Sequence, residues 1–256
     1  GIDERVELTG HVLSMWLAKI AGFVTSESVP GDGVHVALPP HWRSVAWACG
    51  TWLAGRSVLL GSNEEIRTAG LIPELSVAFT PESLYDEAEA QALVPPASLA
   101  LRWPEELPAL VLDGAADLMH YPDRFTPVST AADSVCLTDL TSEAAAPAAP
   151  GAPGGTAPSG GRLTVLTRAQ LAARVEAADA PAGSGRHSTS RAVLVRSPDT
   201  AQMLQEVLVA WRTGRTAVVL TPEAGDDVAA AAIRQEGIQE DIQEGITARA
   251  GGAQSR

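Results

Sequence analysis

A chain of 256 residues with 45% hydrophobic content and six tryptophans can bury one or two cores and is not a disordered polymer. Its net charge of −13 and pI near 4.7 argue against nucleic acid and anionic membranes as partners; the plain consequence of the charge is solubility. Of 18 basic residues only Lys19 is a lysine, which fits an arginine-rich coding bias better than a basic binding patch.

Thr9 is placed to cap a helix running to about Thr25, with Val12, Trp16, Ile20 and Phe23 on one face and Leu13 and Leu17 beside them. Pro30-Gly31-Asp32-Gly33 reads as a turn, and 34–38 as a short strand closed by Pro39-Pro40. A helix over 41–54 follows, with Val45, Ala48, Cys49, Trp52 and Leu53 as its stripe and Gly55 as its stop. Trp47 lies about 200° round from Val45 and is expected to be partly exposed. A strand over 57–60, a helix capped by Asn63 and running to Ala69, a strand over 76–79 and an acidic helix over 81–92 continue the alternation. This βαβαβα order predicts a parallel sheet with helices on its faces. Further short strands are expected over 98–101 and 109–112.

In the polar stretch 113–127, Asp117, His120 and Asp123 are spaced three apart, a spacing open to a metal reading. No fourth ligand is placed and Pro122 breaks the helical spacing, so a plain surface loop is the stronger reading and no metal is assigned. The tract 142–161 consists of Ala, Pro, Gly, Ser and Thr apart from Glu143 and reads as a flexible linker. Thr167 can cap a helix to Asp179, and 181–190 reads as a second loose loop. A strand over 192–195 leads to Ser197-Pro198-Asp199, read as a helix start with Ser at the cap. Met203, Leu204, Val207, Leu208 and Trp211 form that helix's stripe, and Gly214 ends it. A strand over 216–220 and a helix over 226–236, stopped at Gly237, complete a second βαβα unit. The expected organisation is α/β: a first subdomain over 1–141, the linker, a second parallel-sheet subdomain over 162–240 and a frayed tail over 241–256.

The first thirty residues carry Asp3, Glu4, Glu7 and Glu27 rather than a cationic leader and an apolar core, and the start at Gly1 reads as trimmed. The apolar stretch 44–61 is interrupted by Gly50, Gly55 and Arg56, so it is helix, turn and strand rather than a membrane span. Cys49 and Cys136 lie in apolar surroundings without metal spacing, which points to a reducing, cytoplasmic compartment.

Chemistry-bearing motifs are incomplete. Gly155 to Gly160 has the glycine spacing of a phosphate loop but continues Gly161-Arg162 instead of Lys-Ser/Thr. The candidate anion ligands there are Ser159, Gly160, Gly161 and Arg162, whose guanidinium can grip a phosphate bidentately; a solvated linker end is the competing reading. Gly183-Ser184-Gly185 precedes a strand rather than following one, the wrong context for a dinucleotide turn. No G-x-S-x-G elbow occurs. His41, just past the C-terminal end of a strand, is the best-placed titratable group for a ligand, against a structural role at a helix start.

Taken in order, several stretches resemble the N-terminal half of the adenylate-forming enzymes, the AMP-binding acyl-CoA synthetase superfamily. They are Pro30 to Pro39 (PGDGVHVALP), Trp52 to Leu60 (WLAGRSVLL), Ser159 to Arg162 followed by Val165 to Leu171, and Trp211 to Leu220 (WRTGRTAVVL). The short length and Tyr121-Pro122-Asp123-Arg124-Phe125 are most similar to a stand-alone branch of that superfamily in high-GC bacteria. The resemblance implies two α/β subdomains of the AMP-binding type, ATP or AMP as ligand, and an acid-activating ligase if there is activity. It also implies what this chain lacks. Full members carry a lysine in the phosphate loop, a Tyr-Gly-x-Thr-Glu adenine and magnesium clamp, a Thr-Gly-Asp ribose holder and a lid lysine. None of these is found in this sequence, which is expected to end before the last three. Adenylation needs metal and cations round the transferring phosphorus, so the expectation is a degenerate protein, not competent alone, with at most weak nucleotide or acyl-ligand binding. The alternative is a non-catalytic interaction module with a protein partner or a second copy.

Overall fold

The computed structural model describes residues 5–141, 163–179 and 190–238. Helix α1 spans Gly10–Glu27, and the Thr9 hydroxyl accepts the Val12 N–H at its start. Its second half is the anchored part, burying Ile20, Ala21, Phe23 and Val24, while Val12 in the first turn stays exposed. Strand β1 (Val34–Ala37), helix α2 (Trp42–Leu53), β2 (Val58–Leu60), α3 (Asn63–Ala69) and β3 (Leu75–Ala78) follow. β4 (Gln91–Leu93), β5 (Leu112–Asp113), β6 (Val135–Asp139), β7 (Thr164–Thr167) and α4 (Arg168–Asp179) complete the larger part. β8 (Ala192–Val195), α5 (Thr200–Arg212), β9 (Thr216–Val219) and α6 (Asp226–Glu236) form the smaller.

Seven strands form one sheet in the order β5-β4-β3-β1-β2-β6-β7, parallel except for β7, which runs antiparallel to β6. The expected linker 142–161 therefore lies in the connection between two strands paired in the same sheet. β8 and β9 pair in parallel in a separate two-stranded sheet. The chain leaves β1 through α2 towards β2, then returns through α3 to β3 on the other side of β1. Right-handed crossovers in opposite directions place α2 and α3 on opposite faces. The cores agree: Val58 and Leu60 join the α1–α2 core, whereas Leu59 packs with Ile66, Tyr85 and Leu140 on the α3 face. No helix among the described residues is long and apolar enough to cross a membrane.

Several expectations are corrected. The helix over 81–92 is a single 3-10 turn, Pro81–Ser83, followed by loop and β4. Its backbone bonds lie elsewhere: the Tyr85 N–H donates to Ser76 Oγ at 2.9 Å and the Glu89 N–H to the Pro73 carbonyl at 3.1 Å. Residues 98–101 form a turn, not a strand, held by the buried Arg43 guanidinium, which donates to the carbonyls of Ala97, Ser98 and Ala100. The strand expected over 109–112 is displaced to Leu112–Asp113, because Leu110 takes a left-handed φ of 66°. Strand β6 was not foreseen. Ser62, not Asn63, caps α3, and Asp199, not Ser197, caps α5. Trp47 is 1% exposed, edge-on to Phe23 at 5.6 Å, because α2 is buried from Arg43 through Thr51 without a solvent face.

Candidate ligand cleft

An open cleft of about 1160 Å³ lies outside the C-terminal ends of the parallel strands. In open α/β sheets the switch point lies where neighbouring strands send their connections apart, here β1 towards β2 and β3 towards β4; this cleft sits beside that point, over the exits of β1 and β2. The exit of β1 supplies Leu38, Pro39 and Pro40; the exit of β2 supplies Gly61 and Ser62. Asp139 ends β6 and Thr141 follows it, Arg174 projects from α4, and Asp199 to Gln202 open α5. The cleft thus runs between the large sheet and the smaller unit, which are tied where the Thr200 hydroxyl donates to the Leu38 carbonyl at 3.2 Å.

The β2 exit is fixed by local chemistry. Gly61 has φ 152°, and a Cβ there would lie 2.9 Å from the Leu140 Cβ, so the position requires glycine. Ser62 and Glu65 form a capping box, the Ser62 N–H donating to the Glu65 carboxylate at 2.7 Å and the Glu65 N–H to the Ser62 hydroxyl at 3.3 Å. At α5 the Asp199 carboxylate accepts the Gln202 N–H at 2.8 Å.

The lining is acidic. Glu64, Glu82, Asp139 and Asp199 face the cleft, and Arg174 is the one basic side chain among the described lining residues. Burial raises the pKa of Asp139; the Thr141 hydroxyl and N–H, donating at 2.6 and 3.0 Å, oppose this, and Asp199 and Glu65 add to it. A free phosphate entering here meets one guanidinium against several carboxylates, so it needs a counter-ion or the backbone dipoles of α5.

Other residues singled out in the sequence lie elsewhere. His41 caps α2, its Nδ1 accepting the Arg43 N–H at 3.1 Å, which leaves Nε2 to donate to the Ser98 hydroxyl at 3.3 Å. It is buried and is not among the residues that line the cleft. Lys19 is bound to the Asp123 carboxylate and the Tyr121 carbonyl, both at 2.7 Å. Asp117 accepts the Asp113 N–H, and among the described residues no three His, Cys, Asp or Glu side chains gather as a metal site. Cys49 and Cys136 are buried free thiols, and burial pushes Cys49 up to about 12. Ser159, Gly160, Gly161 and Arg162 lie outside the described residues.

Sequence reasoning missed Gly61, Ser62, Asp139, Arg174 and Asp199. The Ser62-x-x-Glu65 spacing directly after an apolar strand is a capping-box signal that would have marked the β2 exit. Arg174 carries no local signal, since only the packing of α4 beside α5 brings it to the cleft.

No family model matches the chain. A Mycobacterium tuberculosis protein, described as a TIGR03089 family protein, is 27% identical over 129 residues, 48% of this chain and 51% of that protein. Among solved structures, an acyl-CoA synthetase from Brucella canis superposes with a TM-score of 0.69 at 18% identity, covering 93% of this chain and 42% of that one. MatB from Rhodopseudomonas palustris gives 0.65 at 13% identity over 90% and 43% of the two chains. The N-terminal subdomain of NpsA from Klebsiella oxytoca gives 0.60 at 15%, over 92% and 54%. The chain thus spans about half the length of these relatives or less. Nine-tenths of it has the fold of the N-terminal half of the adenylate-forming, acyl-CoA synthetase-like enzymes.

Proposed function

We propose that this chain is a degenerate AMP-binding, acyl-CoA synthetase-like protein that binds a nucleotide or acyl ligand weakly in the β1–β2 cleft and does not activate acids on its own. The observation that carries the reading is the cleft lining: the fold's crevice is kept, but its described charges are four carboxylates and one arginine, and the chain's one lysine is tied to Asp123. Stabilising a transferring phosphoryl group takes cations or metal. An anion contact from Ser159 to Arg162 would supply charge-assisted hydrogen bonds of about 1.5–3 kcal/mol, enough alone for only about millimolar affinity or weaker. The large sheet and the smaller β8–β9 unit would hold such a ligand between them. Buried free Cys49 and Cys136 fit a reducing, cytoplasmic setting. Carboxylic-acid-dependent ATP–pyrophosphate exchange tests the reading. The expected result is background exchange; exchange that scales with protein and depends on the acid would overturn it.

A second reading is a non-catalytic interaction module. It is favoured by Leu99, Leu101 and Leu110, which stand 69%, 61% and 98% exposed on the segment between β4 and β5. Trp47, expected to be partly exposed, is buried and adds nothing to this surface.

A further inference from the structure

We propose that His35 is a pH-responsive positioning residue that sets the wall of the β1–β2 cleft through the Gly61 carbonyl. The imidazole sits in the centre of the large sheet, on β1, with 0% exposure. Its Nε2 lies 3.0 Å from the Gly61 carbonyl oxygen and its Nδ1 lies 3.0 Å from Ser76 Oγ. A carbonyl only accepts, so Nε2 carries the hydrogen, Nδ1 is the acceptor and the Ser76 hydroxyl donates. The same Ser76 oxygen accepts the Tyr85 N–H at 2.9 Å. One line of bonds therefore joins the 84–90 loop, β3, β1 and the exit of β2.

That line is satisfied only with a neutral ring. Protonation places a hydrogen on Nδ1 facing the hydrogen of Ser76, whose hydroxyl must then turn away inside a site closed to solvent. Burial disfavours the charged ring and the Gly61 carbonyl favours it; burial is the larger effect, so the pKa lies below the ordinary 6.5. The ionisable groups on the surrounding elements are Tyr85, edge-on with ring centres 6.5 Å apart, with Asp86, Glu87 and Glu89 on the same loop, Glu64, Glu65 and Arg67 on α3, and Cys136 and Asp139 on β6. No carboxylate contributes to the shift, which leaves the ring's response governed by burial and by Gly61.

Gly61 and Ser62 line the cleft, and Ser62 caps α3. Charging His35 keeps its bond to the Gly61 carbonyl but breaks the one from Ser76, and the ring's readjustment reaches the β2 exit through that carbonyl, so ligand binding changes in mild acid. This last consequence rests on the cleft being a ligand site; the coupling of His35 to Gly61 does not. NMR of the free 15N-labelled protein tests the coupling, with pH lowered from about 8 to about 5 across the histidine range. The expected results are an Nε2–H tautomer at neutral pH, a protonation midpoint below 6.5, and Gly61 and Ser62 amide shifts that share that midpoint while Gly214, on the smaller unit, stays still. In His35→Gln, whose amide can still donate to Gly61 but cannot titrate, the shared transition disappears. An Nδ1–H tautomer, a midpoint at or above 6.5, or Gly61 shifts that persist in His35→Gln would overturn the proposal. The tautomer and midpoint of the wild type decide the matter if the variant does not fold.

Discussion

Replacing Gly61 by alanine probes the cleft wall directly. At φ 152° an L residue occupies backbone space that is nearly glycine-only, a strain of about 1–3 kcal/mol. The new Cβ would also sit 2.9 Å from the Leu140 Cβ, a near-backbone atom that cannot swing aside. Overpacking of this kind costs about 1–3 kcal/mol, so Gly61→Ala is expected to destabilise by about 2–6 kcal/mol, out of a total of about 5–15 kcal/mol for a folded domain. Gly70→Ala is the control. That glycine has φ 67° at the end of α3 with nothing within 4 Å of its Cβ direction, so it carries only the left-handed penalty of about 1–2 kcal/mol. Guanidinium titration followed by tryptophan fluorescence measures both, an unchanged m-value indicating that stability alone moved. A Gly61→Ala cost no larger than that of Gly70→Ala would refute the close approach of the β2 exit to Leu140.

Asp199→Ala removes the cap of α5 at the cleft mouth and is expected to cost about 0.5–2 kcal/mol, read from the denaturation midpoint. His35 has a lowered pKa, so its contribution to stability is fully present above 6.5 and is lost as pH falls through the folded-state value; the Tm of the wild type should decline over that window more steeply than that of His35→Gln. Glu74 is buried beside Arg56 with its Oε1 unpartnered, and burial raises its pKa. Its contribution is therefore present below the ordinary 4.5 and lost as pH rises through the folded-state value, so Glu74→Gln should gain stability over the wild type near neutral pH, with the gain shrinking in acid. Arg43→Met should leave the sheet intact but free the 97–100 turn, seen as faster amide exchange at Ala100, whose N–H donates to Ala97 within that turn.

Helices with their own caps and stripes were legible in the sequence. Thr9, Gly214 and the whole of α6 with its left-handed Gly237 stand where local rules place them. The elements that misread are those whose partners lie far along the chain. Pro81 to Ala92 has a helix-like start and acidic spacing, yet Tyr85 and Glu89 give their N–H groups to Ser76 and Pro73. Trp47 reads as off-stripe on an isolated helix, and only the packing of α1 and Phe23 over α2 explains its burial. The crevice itself was foreseeable from alternating strands and helices. Its acidic lining was not, because Asp139, Arg174 and Asp199 come from elements brought together only by the docking of the smaller unit on the larger.

Titration of the 15N-labelled protein with AMP and with Mg-ATP, followed amide by amide, shows whether the cleft takes a nucleotide and how tightly. Weak, saturable shifts, about millimolar in midpoint, are expected at Ser62, Thr141, Ala201 and Gln202 in the cleft and at Gly160 and Gly161. Tight binding, or saturable shifts that avoid these amides altogether, would contradict the proposed weak binding in this cleft.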